Sequence, residues 1–96
     1  MLSGSQLNLH HLRYFWDVAK EGNLTRAAQR LHVSQSALST QIKQLETSLG
    51  QELFERRPRS MRLTEAGQIA LGYADTIFEA GDEMLKVLTE DVDPSR

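Results

Sequence analysis

The stretch VSQSALSTQIKQLE, Val33 to Glu46, has the spacing of a helix and an unusual polar face. Leu38, Ile42, Leu45 and the following Leu49 recur on one edge, as a helix packed on a core requires. The opposite edge carries Gln35, Ser36, Ser39, Thr40 and Lys43, almost all neutral hydrogen-bonding groups. Ser36, Thr40, Lys43 and Thr47 follow helical steps and share one face, with Gln35 and Ser39 beside its N-terminal end. Amides, hydroxyls and small apolar groups are what a helix needs to meet base edges in a major groove, which display hydrogen-bonding groups and thymine methyls. A solvated helix rich in Ser and Thr would show the same pattern, so the flanking residues decide.

Upstream, Leu9, Leu12, Phe15, Val18 and Ala19 recur at helical spacing after Asn8, a good N-cap, and Gly22 closes that helix. Asn23 caps a short second helix through Thr25 to Leu31, in which Ala27 and Ala28 permit close helix approach. His32 and Val33 lead into Ser34, whose hydroxyl caps the quoted helix, and Gly50 ends it. Two helices joined by so few residues form a helix-turn-helix. After Gly50 the spacing changes. Leu53 and Phe54 suit one strand, Met61 and Leu63 another, and Pro58 sits in the turn between them, where its missing N–H does no harm.

The chain has 96 residues, 40% of them apolar, enough for one modest core, and no cysteine for disulfides or thiolate metal sites. Its net charge of −2 hides a strong division. Residues 23–62 hold seven basic against three acidic side chains, and residues 63–96 hold two against eight. An anion-binding middle is thus joined to an acidic helix with another role. Thr25, Arg26 and Ser34 lie at or near helix starts, which favour phosphate. Arg56, Arg57, Arg59 and Arg62 crowd the hairpin, a density suited to phosphates or a narrow minor groove. Arg62 is the weaker candidate, since it can point along its strand into solvent.

The run NLTRAAQRLHVSQSALSTQIKQLETSLGQELFERRPRSMRLTEAG resembles the N-terminal DNA-binding domain of LysR-type transcriptional regulators, and the likeness extends over roughly Leu9 to Leu88. Ala27-Ala28, Leu31, Val33-Ser34-Gln35, Ser39, Gln41-Ile42, Leu45-Glu46, Leu49-Gly50, Leu53-Phe54, Arg56 and Leu63-Thr64-Glu65-Ala66-Gly67 stand in family order. The resemblance implies a mainly α fold: a winged helix-turn-helix of three helices and a two-stranded wing over residues 1–63, then a long linker helix over 64–90 that dimerises. It implies that Gln35, Ser36, Ser39 and Thr40 face bases and that Thr25, Arg56 and Arg59 touch the backbone or minor groove. Lys43, further along the helix, is expected on a phosphate. Many members have proline where Ser36 stands and a larger basic or amide residue where Thr40 stands, so base preference does not carry over. Such regulators continue into a domain that binds a small-molecule inducer, which is absent from this chain; no cofactor is expected within it.

The segment after Thr64 carries two adjacent apolar stripes, Ala66, Ile69, Ala70, Tyr73, Ile77, Met84 and Leu88 on one, Leu71, Ala74, Phe78 and Leu85 on the other. One can cover the domain's own core. The other is expected to meet the same helix of a second chain, with Trp16, Tyr73, Ala74, Ile77, Phe78, Met84, Leu85 and Leu88 at the interface. Asp75, Glu79, Asp82 and Glu83 would keep that helix off phosphate. A two-fold dimer implies double-stranded DNA with an imperfect palindrome. Residues 91–96 are expected to be a disordered tail.

Other classes fit less well. A winged helix can bind protein partners, but such a module has no need of four arginines around Pro58. No Ser or Asp accompanies a histidine in a nucleophile motif, and His10, His11 and His32 lack metal-ligand spacing, so neither an enzyme nor a metal site is expected. Tyr14 and Trp16 suit packing more than base stacking, and Trp16 is expected to touch the last helix. The start MLSGSQLNLHHLRYF resembles no export signal, and nothing approaches the roughly 20 apolar residues of a membrane span. A cytoplasmic, nucleoid-associated protein is the expectation.

Overall fold

Helix caps written in the sequence divide the chain. The computed structural model describes residues 7–55 and 61–91, with α1 at Leu9–Glu21, α2 at Leu24–Leu31, α3 at Gln35–Leu49 and α4 at Glu65–Asp91. The Asn8 side chain accepts from the N–H groups of His10 and His11 at 2.9 and 3.1 Å. Asn23 accepts from Arg26 N–H at 2.9 Å, and Ser34 Oγ from Ala37 N–H at 3.0 Å. Each cap satisfies donors that a first helical turn leaves unpaired. Gly22 and Gly50 end α1 and α3 in the left-handed conformation, at φ +72° and +70°. His32 does the same for α2 at φ 60°, and Val33 N–H then returns to Ala28 C=O at 3.0 Å. Among non-glycine residues histidine is one of the few enriched in that region. The sequence carries no glycine there, so this cap is visible only in the fold.

Helix α1 is the central element and packs on α2, α3 and α4. Leu12, Phe15 and Val18 of α1 are buried with Ala27 and Ala28 of α2 and Leu38, Ile42 and Leu45 of α3. Leu53, Phe54 and Ala74 close the core, with the Phe15 and Phe54 rings 5.4 Å apart. Leu49, on the same edge of α3, is left exposed at its end. Fully burying a Leu or Phe side chain contributes roughly 1.5–3 kcal/mol each, so these few residues carry most of the cohesion.

The expected wing is described only at its base. Among the described residues it is a single antiparallel bridge between Phe54 and Leu63, flanked by Glu55 N–H to Arg62 C=O at 2.8 Å and Thr64 N–H to Leu53 C=O at 3.0 Å. Arg56, Arg57, Pro58 and Arg59 lie outside the described residues, as do residues 92–96.

Helix α4, 27 residues long, extends about 40 Å at 1.5 Å per residue. Its inner face joins Leu71, Ala74 and Phe78 of one stripe with Ala70 and Ile77 of the other. Leu85 continues the inner stripe yet is exposed, because α4 outruns the domain it packs on.

Candidate nucleic-acid interface

The face of α3 turned away from the core presents Gln35, Ser36, Ser39, Thr40, Lys43 and Thr47, all exposed. Thr25 and Arg26 are exposed at the first turn of α2. Ser36 has a local partner in Ser34. Ser34 Oγ is occupied as the α3 cap, and the Ser34 and Ser36 hydroxyls lie 3.3 Å apart, either able to donate. Gln35, Ser39 and Thr40 are left as a row of polar side chains at the start of a helix anchored on the core by Leu38, Ile42 and Leu45. The placement of Arg56 and Arg59 lies outside the described residues, and Arg62, just beyond them, is exposed.

One arginine of the basic middle has other work. Arg30 of α2 reaches Asp17 at 3.4 Å and Glu21 at 3.2 Å on α1. Asp17 is buried and also faces Arg13 at 3.8 Å. A buried carboxylate requires such company, so Arg30 ties α2 to α1.

Glu46 was legible as a family-order residue, but not for its role. Its carboxylate is buried at the end of α3 and accepts from Leu53 N–H at 2.7 Å and Phe54 N–H at 3.3 Å. It thereby couples the polar helix to the base of the wing. The carbonyl of Glu52 accepts from Thr64 Oγ1 at 2.6 Å, and Thr64 Oγ1 in turn accepts from Gly67 N–H at 2.9 Å, so the wing base is joined to the start of α4. These contacts hold α3, the wing base and the start of α4 together.

Helix α4 is held a second time, by α1. The Trp16 indole N–H donates to Asp75 Oδ1 at 2.7 Å, Lys20 Nζ approaches the same oxygen at 2.9 Å, and the Trp16 and Phe78 rings lie 5.0 Å apart. Trp16 thus touches the last helix as its place in the sequence suggests, and Asp75 is engaged by α1 rather than left to repel phosphate. The hydrogen bond from Trp16, and next that from Lys20, hold the Asp75 carboxyl below its ordinary range. A carboxyl lowered by folding stabilises the fold fully above its unfolded pKa and loses that contribution as pH falls through the folded value. Asp75→Asn is therefore expected to lower the Tm at pH 7, and the difference from the parent chain should close in acid below about pH 4. Melting curves for both chains across that range check it.

Of the residues expected at a dimer contact, Tyr73, Met84, Leu85 and Leu88 are exposed, at 69, 55, 58 and 51%. Ile77, Phe78 and Trp16 are half-buried within the chain, and Ala74 is wholly buried. Ala74 is a core residue of the single chain and has no surface to offer a partner. Ile69 and Val87, which the sequence reading did not place at the contact, are exposed at 57 and 46%. Among the described residues no helix is long and apolar enough to cross a membrane.

Residues 9–68 match the family described as bacterial regulatory helix-turn-helix protein, lysR family. The chain is 38% identical over 87 residues to the transcriptional activator protein NhaR of Escherichia coli (strain K12), covering 91% of this chain and 29% of that protein. Among solved structures it resembles the BenM DNA-binding domain in complex with catB site 1 DNA, with a TM-score of 0.83 and 36% identity over 90% of this chain and 96% of that one. It also resembles full-length CbnR complexed with its target DNA, with a TM-score of 0.74 and 40% identity over 82% of this chain and 27% of that one. The chain therefore spans less than a third of NhaR and of CbnR.

Proposed function

The chain belongs to the LysR family of bacterial regulatory helix-turn-helix proteins and corresponds to their DNA-binding domain, and from that premise we propose that it binds double-stranded DNA sequence-specifically, as a homodimer, with α3 in the major groove. The observation that carries this reading is the exposed, nearly uncharged face of α3 beginning at Gln35. Gln35, Ser39 and Thr40 reach base edges, where an amide or hydroxyl can pair with both donors and acceptors. Ser36 lies beside them, its hydroxyl shared with Ser34. Thr25, Arg26 and Lys43 meet phosphates, which set register and grip without reading sequence. Arg56 and Arg59 of the wing add backbone or minor-groove contacts. The likeness to the BenM domain, whose structure is a DNA complex, supports the docking mode. Residues 1–63 act as the DNA-binding unit and 64–90 as the linker helix, whose exposed apolar residues pair across a two-fold axis. Two symmetric recognition helices suit an imperfect palindrome with half-sites about one helical turn, or a multiple of it, apart. The regulator works on the nucleoid in the cytoplasm, and a small-molecule inducer is bound by a domain outside this chain.

Replacing Gln35 by Ala should cost about 1–3 kcal/mol on the preferred site and little on random duplex. Lys43→Ala should weaken both alike and lower the slope of log affinity against log salt by about 1. Fluorescence anisotropy on the two duplexes over a salt series measures both. An unchanged ratio of specific to random affinity in Gln35→Ala would remove α3 from base reading.

A further inference from the structure

Helix α4 is gripped at two separated places. At its start, Gly67 lies against the Leu53 backbone and Thr64 is tied to Glu52. About 16 Å further along, Asp75 takes the Trp16 indole N–H at 2.7 Å and the Lys20 ammonium at 2.9 Å. The Arg13 guanidinium lies over both rings of the adjoining pair, 4.9 Å from the Trp16 centroid and 5.1 Å from that of Phe78. A rod held once can pivot; held twice, it cannot. The exposed apolar residues around Met84 lie about 30 Å from Thr64 along the axis. A swing of roughly 10° about the first grip would displace them by about 5 Å, more than the 3.4 Å rise of one base pair.

We propose that Trp16, Lys20 and Asp75 are positioning residues that lock the angle between α4 and the helix-turn-helix and thereby set the half-site spacing the dimer accepts. The inference rests on the dimeric DNA-binding reading. The three stand on α1 and α4, apart from α2, α3 and the wing, so the lock acts on spacing while affinity for one half-site is left to those elements. Core packing at Ala74 holds α4 against α1, and the polar contacts beside it select the angle, because a hydrogen bond of 2.7 Å from a ring fixed against Phe78 is directional where apolar contact is not.

The test uses the 96-residue chain and a palindromic duplex recovered by selection from a random-sequence library, with derivatives lengthened or shortened at the centre by one or two base pairs. The parent chain should bind the one-base-pair derivatives about tenfold more weakly than the selected duplex. Trp16→Phe keeps a ring against Phe78 and removes the donor; Asp75→Asn and Lys20→Met remove the charge pair. Each should narrow that difference to about threefold or less while binding a single half-site duplex as the parent does. Three substitutions keep the outcome readable if one of them unfolds the chain, and Glu79→Gln, on the exposed side of α4, should leave the spacing profile unchanged. Folded variants that discriminate as sharply as the parent overturn the lock. A chain that sediments as a monomer, or that selects no palindrome, overturns instead the dimeric reading beneath it.

Discussion

Gly67→Ala is expected to destabilise the chain by about 3 kcal/mol or more, the upper end of what overpacking costs. On helix propensity alone the same change inside a helix should stabilise by about 1 kcal/mol. The sign reverses because of what lies opposite. A Cβ at Gly67 would collide with the Leu53 carbonyl and meet Leu63 Cδ2 at 3.0 Å. The leucine side chain can give way, but the carbonyl is pinned: it accepts the Thr64 N–H, and the N–H of the same residue is held by Glu46. Relief would have to come from moving the start of α4 away from the wing base. Urea unfolding should show a lower midpoint with an unchanged slope. A variant as stable as the parent would mean that α4 does not press on Leu53 as described.

Met84→Asp combined with Leu88→Asp is expected to leave the domain folded, to make it monomeric and to weaken binding to a palindrome by about 10²–10⁴-fold, the usual gain from joining two sites. Both side chains are more than half exposed in the single chain, so carboxylates there disturb none of its core. Placed on a two-fold contact, four added charges would face one another with little water between them. Binding to an isolated half-site should scarcely change. Sedimentation equilibrium and anisotropy on full and half sites separate these effects. A doubly substituted chain that still sediments as a dimer would move the contact off this face.

How far the sequence predicts this arrangement depends on how local the interaction is. The caps at Asn8, Asn23 and Ser34 were legible because a cap involves residues two or three apart. The α3 face was legible because helical spacing alone sorts Leu38, Ile42 and Leu45 from Gln35, Ser39 and Thr40. His32 was not, since nothing in its neighbourhood announces a left-handed residue other than glycine. The two stripes of α4 were visible, yet which faced inward depended on α1, and the length of that face depended on where the domain ends. Asp75 looked like one more acid on an acidic helix until Trp16, 59 residues earlier, was brought beside it. Glu46 likewise acquires its role only when Leu53 and Phe54 fold back over the end of α3. Of the expected wing the described residues show its base, the antiparallel bridge between Phe54 and Leu63, which the apolar pairs on either side of Pro58 had marked.

The central claim, that α3 reads duplex DNA from two symmetric copies of the chain, is tested most directly by selection from a random-sequence duplex library followed by sequencing of the retained DNA. The account predicts enrichment of an imperfect palindrome whose half-sites are centred about 10 base pairs, or a multiple of that, apart, with enrichment lost in Gln35→Ala and retained in Lys43→Ala at reduced salt. Retained DNA no different in sequence from the starting library, or a motif unaffected by Gln35→Ala, would contradict it.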